Sequence, residues 1–228
     1  MYFPTFPQGT LRSLASLIFD AVDMNNPDNT DALPVYTDEY CKAIRSKSEV
    51  AAFMSITEAM PDLDDYGNVL SYHDVITPFG PEQILSYKIK ELWFFDKERS
   101  FLDVRIIEME PIVEYIPKLN LGEDAEELGE DIVGGKPIRK SLGSIRYDEL
   151  RPFLAKQEAF NIKNNAARIS FDDLLTWKRQ FASFIVAEQN VYNNRLIHEY
   201  LANPRDQIIE SDKIKNEIRR MESDLWQF

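Results

Sequence analysis

One cysteine, Cys41, in a chain of 228 residues excludes an intrachain disulfide. A core of this size needs no covalent staple, so the composition fits an oxidising compartment as well as a reducing one. Histidine is almost as scarce. His73 and His198 are the two present, far apart in sequence, and no Gly-x-Ser-x-Gly run accompanies them. A Ser-His or Cys-His nucleophilic site therefore has no supporting motif. Basic residues are in deficit, with 26 Lys and Arg against 39 Asp and Glu and a formal net charge of −13. Phosphate neutralisation needs the opposite balance, which excludes nucleic acid as an expected partner. It also disfavours attachment through anionic lipid headgroups. No apolar run approaches the ~20 residues of a spanning helix, so direct membrane insertion is not expected. Met1-Tyr2-Phe3-Pro4 lacks the basic and apolar regions of an export signal, which fits a cytosolic protein or a mature fragment given a new start methionine. Repeats and low-complexity tracts are absent too.

What the chain does have is 44% hydrophobic and 29% charged residues, the proportions of a folded domain. Thr10 is read as the cap of a helix to about Val22, with Leu11, Leu14, Ala15, Ile18, Ala21 and Val22 on one face. A second, short helix is expected behind Thr37, carrying Cys41 as a small buried hydrophobe. A third is expected from Glu49 to Ile56 behind Ser48. Pro61 to Gly67 reads as a polar break and Thr77 to Pro81 as a rigid loop.

From Ile84 the period changes to two. Tyr87 and Ile89 alternate with Lys88 and Lys90, then Leu92-Trp-Phe-Phe95 is apolar on both faces. Asp96 to Ser100 is a turn, and Phe101 to Met109 returns until Pro111 limits it. The expectation is an antiparallel hairpin whose middle is covered on both sides. Gly122 to Gly135 carries six acids and reads as a solvated loop. Ser144 to Tyr147 is a candidate strand. Asp148 then opens a helix that tolerates Pro152 in its first turn. Ser170-Phe-Asp-Asp173 resembles a capping box. The helix behind it is expected to bury Phe171, Leu174, Leu175, Phe181, Phe184 and Ile185. After a short helix through Tyr200, a last helix is expected to bury Ile214, Ile218, Met221 and Leu225. Exposed pairs join Lys213 to Glu217 and Glu217 to Arg220. The fold class is α+β: a small antiparallel sheet with a central aromatic hairpin, framed by amphipathic helices, and a helical C-terminal third.

Candidate chemistry is sparse. Asp62-Leu-Asp-Asp-Tyr-Gly-Asn68 imitates the start of a calcium loop. However, Tyr66 stands at the fifth position and His73 at the twelfth, so a polar turn after Pro61 is the preferred reading. No metal or cofactor is expected. Glu108 and Glu110 share one strand face two residues apart, the kind of pair a glycosidase uses. A strand with one exposed polar face explains them better. Both histidines are read as solvated or structurally hydrogen-bonded. Aromatics carry the stronger signal. Trp93, Phe94, Phe95 and Phe101 crowd the hairpin, and Trp177 lies beside Lys178 and Arg179. Rings interleaved with arginine are the material of interface hot spots. The candidate partner-binding residues are Trp93, Phe94, Arg105, Trp177 and Arg179.

Several stretches together resemble the GldN/PorN family of the type IX secretion and gliding machinery of Bacteroidota. They are Glu91-Leu-Trp-Phe-Phe-Asp-Lys97, Asp103-Val-Arg-Ile-Ile107, Leu150-Arg-Pro-Phe-Leu-Ala155, Phe160-Asn161, Asn165, Arg168, Asp172-Asp-Leu174, Arg179-Gln-Phe181, Glu210, Ile214-Lys215 and Glu222-Ser-Asp-Leu-Trp226. Leu11-Arg12 through Val22, Tyr36 and Asp38-Glu-Tyr40 resemble the family's first helices. Two features depart from the family pattern: Gly143-Ser-Ile-Arg-Tyr147 is poor in aromatics, and the acidic stretch Gly122 to Asp131 looks particular to this chain. The resemblance implies one domain over 1–228, with N-terminal helices in 1–60, the hairpin in 84–115, an acidic loop in 120–137 and C-terminal helices in 148–228. It implies a periplasmic, non-enzymatic ring subunit, exported with a signal peptide that this chain does not show. That subunit would be held at the inner face of the outer membrane by a GldK/PorK-like lipoprotein and would contact a GldM/PorM-like motor protein. Self-association in a ring calls for a head-to-tail interface. A periplasmic carbohydrate- or calcium-binding adaptor is the alternative, and a hydrolase using an acidic pair is the third reading.

Overall fold

The computed structural model describes residues 11–22, 32–37, 40–64, 69–99, 101–115, 137–159, 168–176, 184–188 and 192–225. They fall into two compact units, Met1–Glu91 with Ile106–Trp177, and Leu92–Arg105 with Lys178–Phe228. Small antiparallel sheets alternate with helices, as the sequence pattern predicts.

The first unit begins with helix α1 (Leu14–Val22). Its N-terminus is closed by Ser13, whose Oγ accepts from the Ser16 amide at 3.1 Å. That cap lies three residues beyond Thr10, and the helix starts accordingly later. Leu17 and Phe19 are buried along with the predicted face, leaving Asp20 the exposed residue of α1. A helix apolar nearly all round belongs inside. Helix α2 (Lys47–Phe53) is capped by Ser46, not Ser48. Ser46 Oγ accepts from the Glu49 amide at 3.3 Å, and Glu49 accepts from the Ser46 amide at 2.8 Å. This reciprocal bonding holds Glu49 below the usual carboxylate range, chiefly through the Ser46 backbone N–H.

Among the described residues the short helix expected behind Thr37 is absent: 40–46 is not helical, and 38–39 lie outside the described residues. Tyr36 instead bridges to Ile44 and to Ser144, and Thr37 N–H donates to the Ala43 carbonyl at 2.9 Å. Cys41 sits in this loop with φ +50° and is half-buried, so it is not a core residue on a helix.

Strands β1 (Ser55–Leu63) and β2 (Val69–Pro78) then form a two-stranded antiparallel sheet, in register from Ser55↔Pro78 to Asp62↔Ser71. The sequence reading has a helix end, a polar break and a rigid loop here. The hairpin was hidden because β2 is solvent-exposed at nearly every position, so no alternation of apolar and polar residues marks it. Its base is fixed by Phe79 N–H donating to the Met54 carbonyl at 2.8 Å, with both side chains buried.

Strands β3 (Ile84–Asp96) and β4 (Phe101–Tyr115) are the predicted hairpin, longer at its end. Short strands β5 (Ile138–Ser141) and β6 (Ile145–Arg146) both pair with β4. β5 covers Ile112–Tyr115, and β6 covers Glu108 and Met109. Pro111 therefore does not end the strand. It lies in the gap between the two partners, where a missing N–H interrupts neither ladder, and its carbonyl accepts from the Leu142 amide at 3.0 Å.

Helix α3 (Tyr147–Lys156) follows directly, with Pro152 in its second turn and exposed, beyond the first-turn position expected of it. Strands β7 (Glu158–Ala159) and β8 (Ile169–Ser170) pair, and helix α4 (Phe171–Thr176) follows. Ser170 and Asp173 complete the predicted box: Ser170 Oγ accepts from the Asp173 amide at 3.1 Å, and Asp173 accepts from the Ser170 amide at 3.1 Å. Met109, Val113, Leu150 and Leu154 are fully buried, with Ile18 and Phe171 1% exposed. Each such side chain contributes about 1.5–3 kcal/mol by leaving water.

In the second unit, 184–188 is not helical, so the helix behind Ser170 does not reach Phe184 and Ile185 as expected; Phe181 lies outside the described residues. Ile185 N–H donates to Ser211 Oγ at 2.8 Å, and Val186 accepts from the Ile197 amide at 2.8 Å. Helix α5 (Ile197–Tyr200) is one turn. Helix α6 (Pro204–Leu225) has proline at its first position and Asn203 as cap, accepting from the Arg205 amide at 3.0 Å. Ile214 is buried and Ile218 half-buried, but Met221 is 61% exposed. Lys213 pairs with Glu210 at 3.6 Å, one turn back, in place of the expected Glu217.

Candidate interaction surface

Beyond residues Glu91 and Ile106 the β3–β4 hairpin has two strands, since β5 and β6 pair only with Glu108–Tyr115. The end turn is fixed locally: Asp96 Oδ1 accepts from the Glu98 amide at 2.9 Å and the Arg99 amide at 3.2 Å. A two-stranded ribbon cannot cover its own faces. Leu92 is 53% exposed, Trp93 40% and Phe95 38%. The expectation that this segment is covered on both faces is therefore corrected. Successive strand residues alternate sides, so Leu92 and Phe94 share one face and Trp93 and Phe95 the other. Phe94 is half-buried beneath the Arg105 guanidinium, which lies 5.1 Å from its centroid.

Of the five candidate residues, Trp93, Phe94 and Arg105 come together at this hairpin end. Trp177 and Arg179 lie outside the described residues. A second apolar surface escaped the sequence reading. In β2, Leu70 is 71% exposed, Ile76 68%, Tyr72 58% and Val69 45%. The signal that would have found it is the run from Val69 to Thr77, rich in β-branched residues and preceded by turn formers.

The acidic pair has a structural answer. Glu108 is buried, not exposed on a polar face. Lys90 Nζ approaches its Oε1 at 3.8 Å, and Cys41 Sγ donates to its Oε2 at 3.3 Å. Glu110 accepts from the Ser141 hydroxyl and pairs with Lys88 at 3.5 Å. Both carboxylates are thus matched by lysines of the neighbouring strand, the arrangement of a cross-strand ladder. Asp62, first in the calcium-like run, accepts from Ser71 Oγ at 2.7 Å and contacts His73 Nδ1 at 2.8 Å. The Ser71 bond, before all else, holds its carboxyl below the usual range. Among the described residues no group of three His, Cys, Asp or Glu could hold a metal, and no helix is long and apolar enough to cross a membrane. His198 is exposed on α5.

Asp172 is the most embedded carboxylate of the first unit's helices. It accepts from the buried Tyr147 hydroxyl at 2.8 Å and from Arg151 Nε at 3.0 Å, joining α3 to α4. Asp173, not Asp172, is the carboxylate that bonds the Ser170 amide at the start of α4. Burial first, then the bond to Asp172, pushes the Tyr147 hydroxyl far up.

The family model described as gliding motility associated protein GldN matches residues 1–227. No curated protein matches the chain.

Proposed function

The chain belongs to the GldN family of gliding motility associated proteins, and from that membership and the exposed hairpin end we propose that it is a non-enzymatic structural subunit of the type IX secretion and gliding machinery. In this reading the subunit tiles a periplasmic ring at the inner face of the outer membrane. It is held there by a GldK/PorK-like lipoprotein and relays force from a GldM/PorM-like motor protein. The observation that carries the reading is the two-sided apolar ribbon of Leu92, Trp93 and Phe95 at the β3–β4 end. Surfaces of this kind, aromatic and flanked by arginine, are what protein partners cover. Acidic net charge suits it: attachment to the membrane comes through another protein, not through lipid. One subunit used repeatedly requires two different faces, and the exposed apolar face of β2 supplies a second.

The test is recovery of the tagged chain from envelope extract, followed by identification and imaging of what comes with it. The reading expects a lipoprotein and further copies of the chain in a large closed assembly. Recovery of the chain alone under conditions that preserve other envelope complexes, or turnover of a substrate by the purified chain, contradicts it.

A further inference from the structure

In the second unit, α5, the segment before it and the middle of α6 border an open cavity of about 180 Å³. That is below the ~300 Å³ at which small-molecule sites begin. It suits one inserted side chain. The rings of Tyr192 and Tyr200 line it together, 4.8 Å apart centre to centre and tilted by 36°. Glu188, Glu210 and Glu217 bring three carboxylates to the lining, against the two cations Arg195 and Lys213. Both cations are engaged already. Lys213 pairs with Glu210 at 3.6 Å, and Arg195 Nε donates to the Tyr192 carbonyl at 3.3 Å. Glu188 and Glu217 are left without an ion-pair partner among the described residues. The negative surroundings register on Tyr200, whose hydroxyl is pushed up by burial first and by the charge of Glu210 next.

The backbone that presents this wall is strained. Tyr192, Asn193 and Asn194 have φ of +48°, +60° and +60°. Asparagine accepts that conformation readily and a bulky tyrosine does not. The result is a Tyr192 ring set against Tyr200 yet 52% exposed.

We propose that this cavity receives one arginine side chain of a partner protein, its guanidinium stacked on Tyr192 and hydrogen-bonded by Glu188 and Glu217. A planar cation that stacks on aromatic faces and bonds carboxylates in a fork matches both halves of the lining, where an ammonium matches only the charge. The site is independent of the hairpin end as an interface, and its test needs no other component of the machinery.

The full chain with ring-labelled tyrosine is titrated by NMR with N-acetyl-arginine amide, N-acetyl-lysine amide and N-acetyl-norleucine amide. Saturable shifts of the Tyr192 and Tyr200 rings are expected with the arginine amide, none with the norleucine amide, and binding at least threefold weaker for lysine. The double variant Glu188→Gln, Glu217→Gln is expected to weaken the arginine complex at least fivefold while leaving the spectrum of the remaining tyrosines unchanged. Tyr192→Ala, at an exposed position, is expected to abolish the Tyr200 shift. No saturable shift overturns the proposal, as do equal shifts with norleucine, lysine binding as tight as arginine, or undiminished binding by the glutamine variant.

Discussion

The guanidinium of Arg105 lies over the ring of Phe94, 5.1 Å from its centroid, across the two strands of the hairpin end. A contact of this kind at an exposed site is worth about 0.5–1 kcal/mol. It therefore matters less for holding the chain together than for fixing an arginine among aromatic rings. A double-mutant cycle of Phe94→Ala and Arg105→Ala, followed by urea unfolding, is expected to give a coupling of that size. Association with envelope partners is expected to fall far more, by tenfold or beyond, as at interface hot spots. Equal association by wild type and Arg105→Ala would contradict this.

Asp172 and Asp173 are neighbours with different duties, and substitution separates them. Asp172→Ala strands the buried Tyr147 hydroxyl and removes the ion pair to the exposed Arg151, at a cost of about 2–3 kcal/mol. Asp173→Ala removes a capping-box carboxylate on the surface, at a cost of about 1 kcal/mol. Denaturant midpoints measured side by side are expected to rank them in that order, and the reverse order would refute the assignment.

Gly143 has φ +104°, and a Cβ there would stand 2.6 Å from Val35 Cγ1 and 3.1 Å from the Tyr36 carbonyl oxygen. The adjacent Tyr36↔Ser144 bridge leaves little room for the backbone to retreat. Gly143→Ala is expected to lose about 1–3 kcal/mol from backbone strain, more if the clash adds, and to lower the thermal midpoint. A midpoint unchanged from wild type would mean that the 142–144 segment adapts freely.

Acid should loosen the β1–β2 hairpin. Asp62 is held below the ordinary aspartate range by Ser71, with His73 assisting. A folded-state pKa below the unfolded one gives stability that is fully present above the unfolded value, about 4, and lost as pH falls through the folded value. Amide-exchange protection across Asp62↔Ser71 is expected to decline below that pH, and Asp62→Asn to abolish the decline. Protection that instead weakens on going from pH 4 to 7 would reverse the sign and defeat the account.

Much of the fold was legible where its causes are local. The α1 run, the alternation after Ile84 and the Ser170–Asp173 box each carry their signal within a few residues. Three errors share a different origin. Thr37 with Asp38 and Glu39 imitates a helix start, but Tyr36 is held by Ser144, more than a hundred residues onward. Phe184 and Ile185 keep helical spacing with Leu174 and Leu175, yet the Ile185 amide bonds to Ser211 on α6. Glu108 looks like a surface acid and is buried because Lys90 and Cys41 approach it. Long-range partners decided all three, and no local window contains them. At the candidate surface, the sequence identified which aromatics cluster. It mistook their environment: Leu92, Trp93 and Phe95 are exposed, and what packs on a ribbon's faces comes from elements that no local window contains.

Photo-crosslinking from position 93 in living cells tests the central claim most directly. The account predicts that p-benzoylphenylalanine in place of Trp93 yields adducts with a second copy of the chain or with an envelope protein, and that the same probe at exposed Glu98 in the hairpin turn yields far fewer. A position-93 probe that leaves the chain uncrosslinked in gliding cells would contradict it.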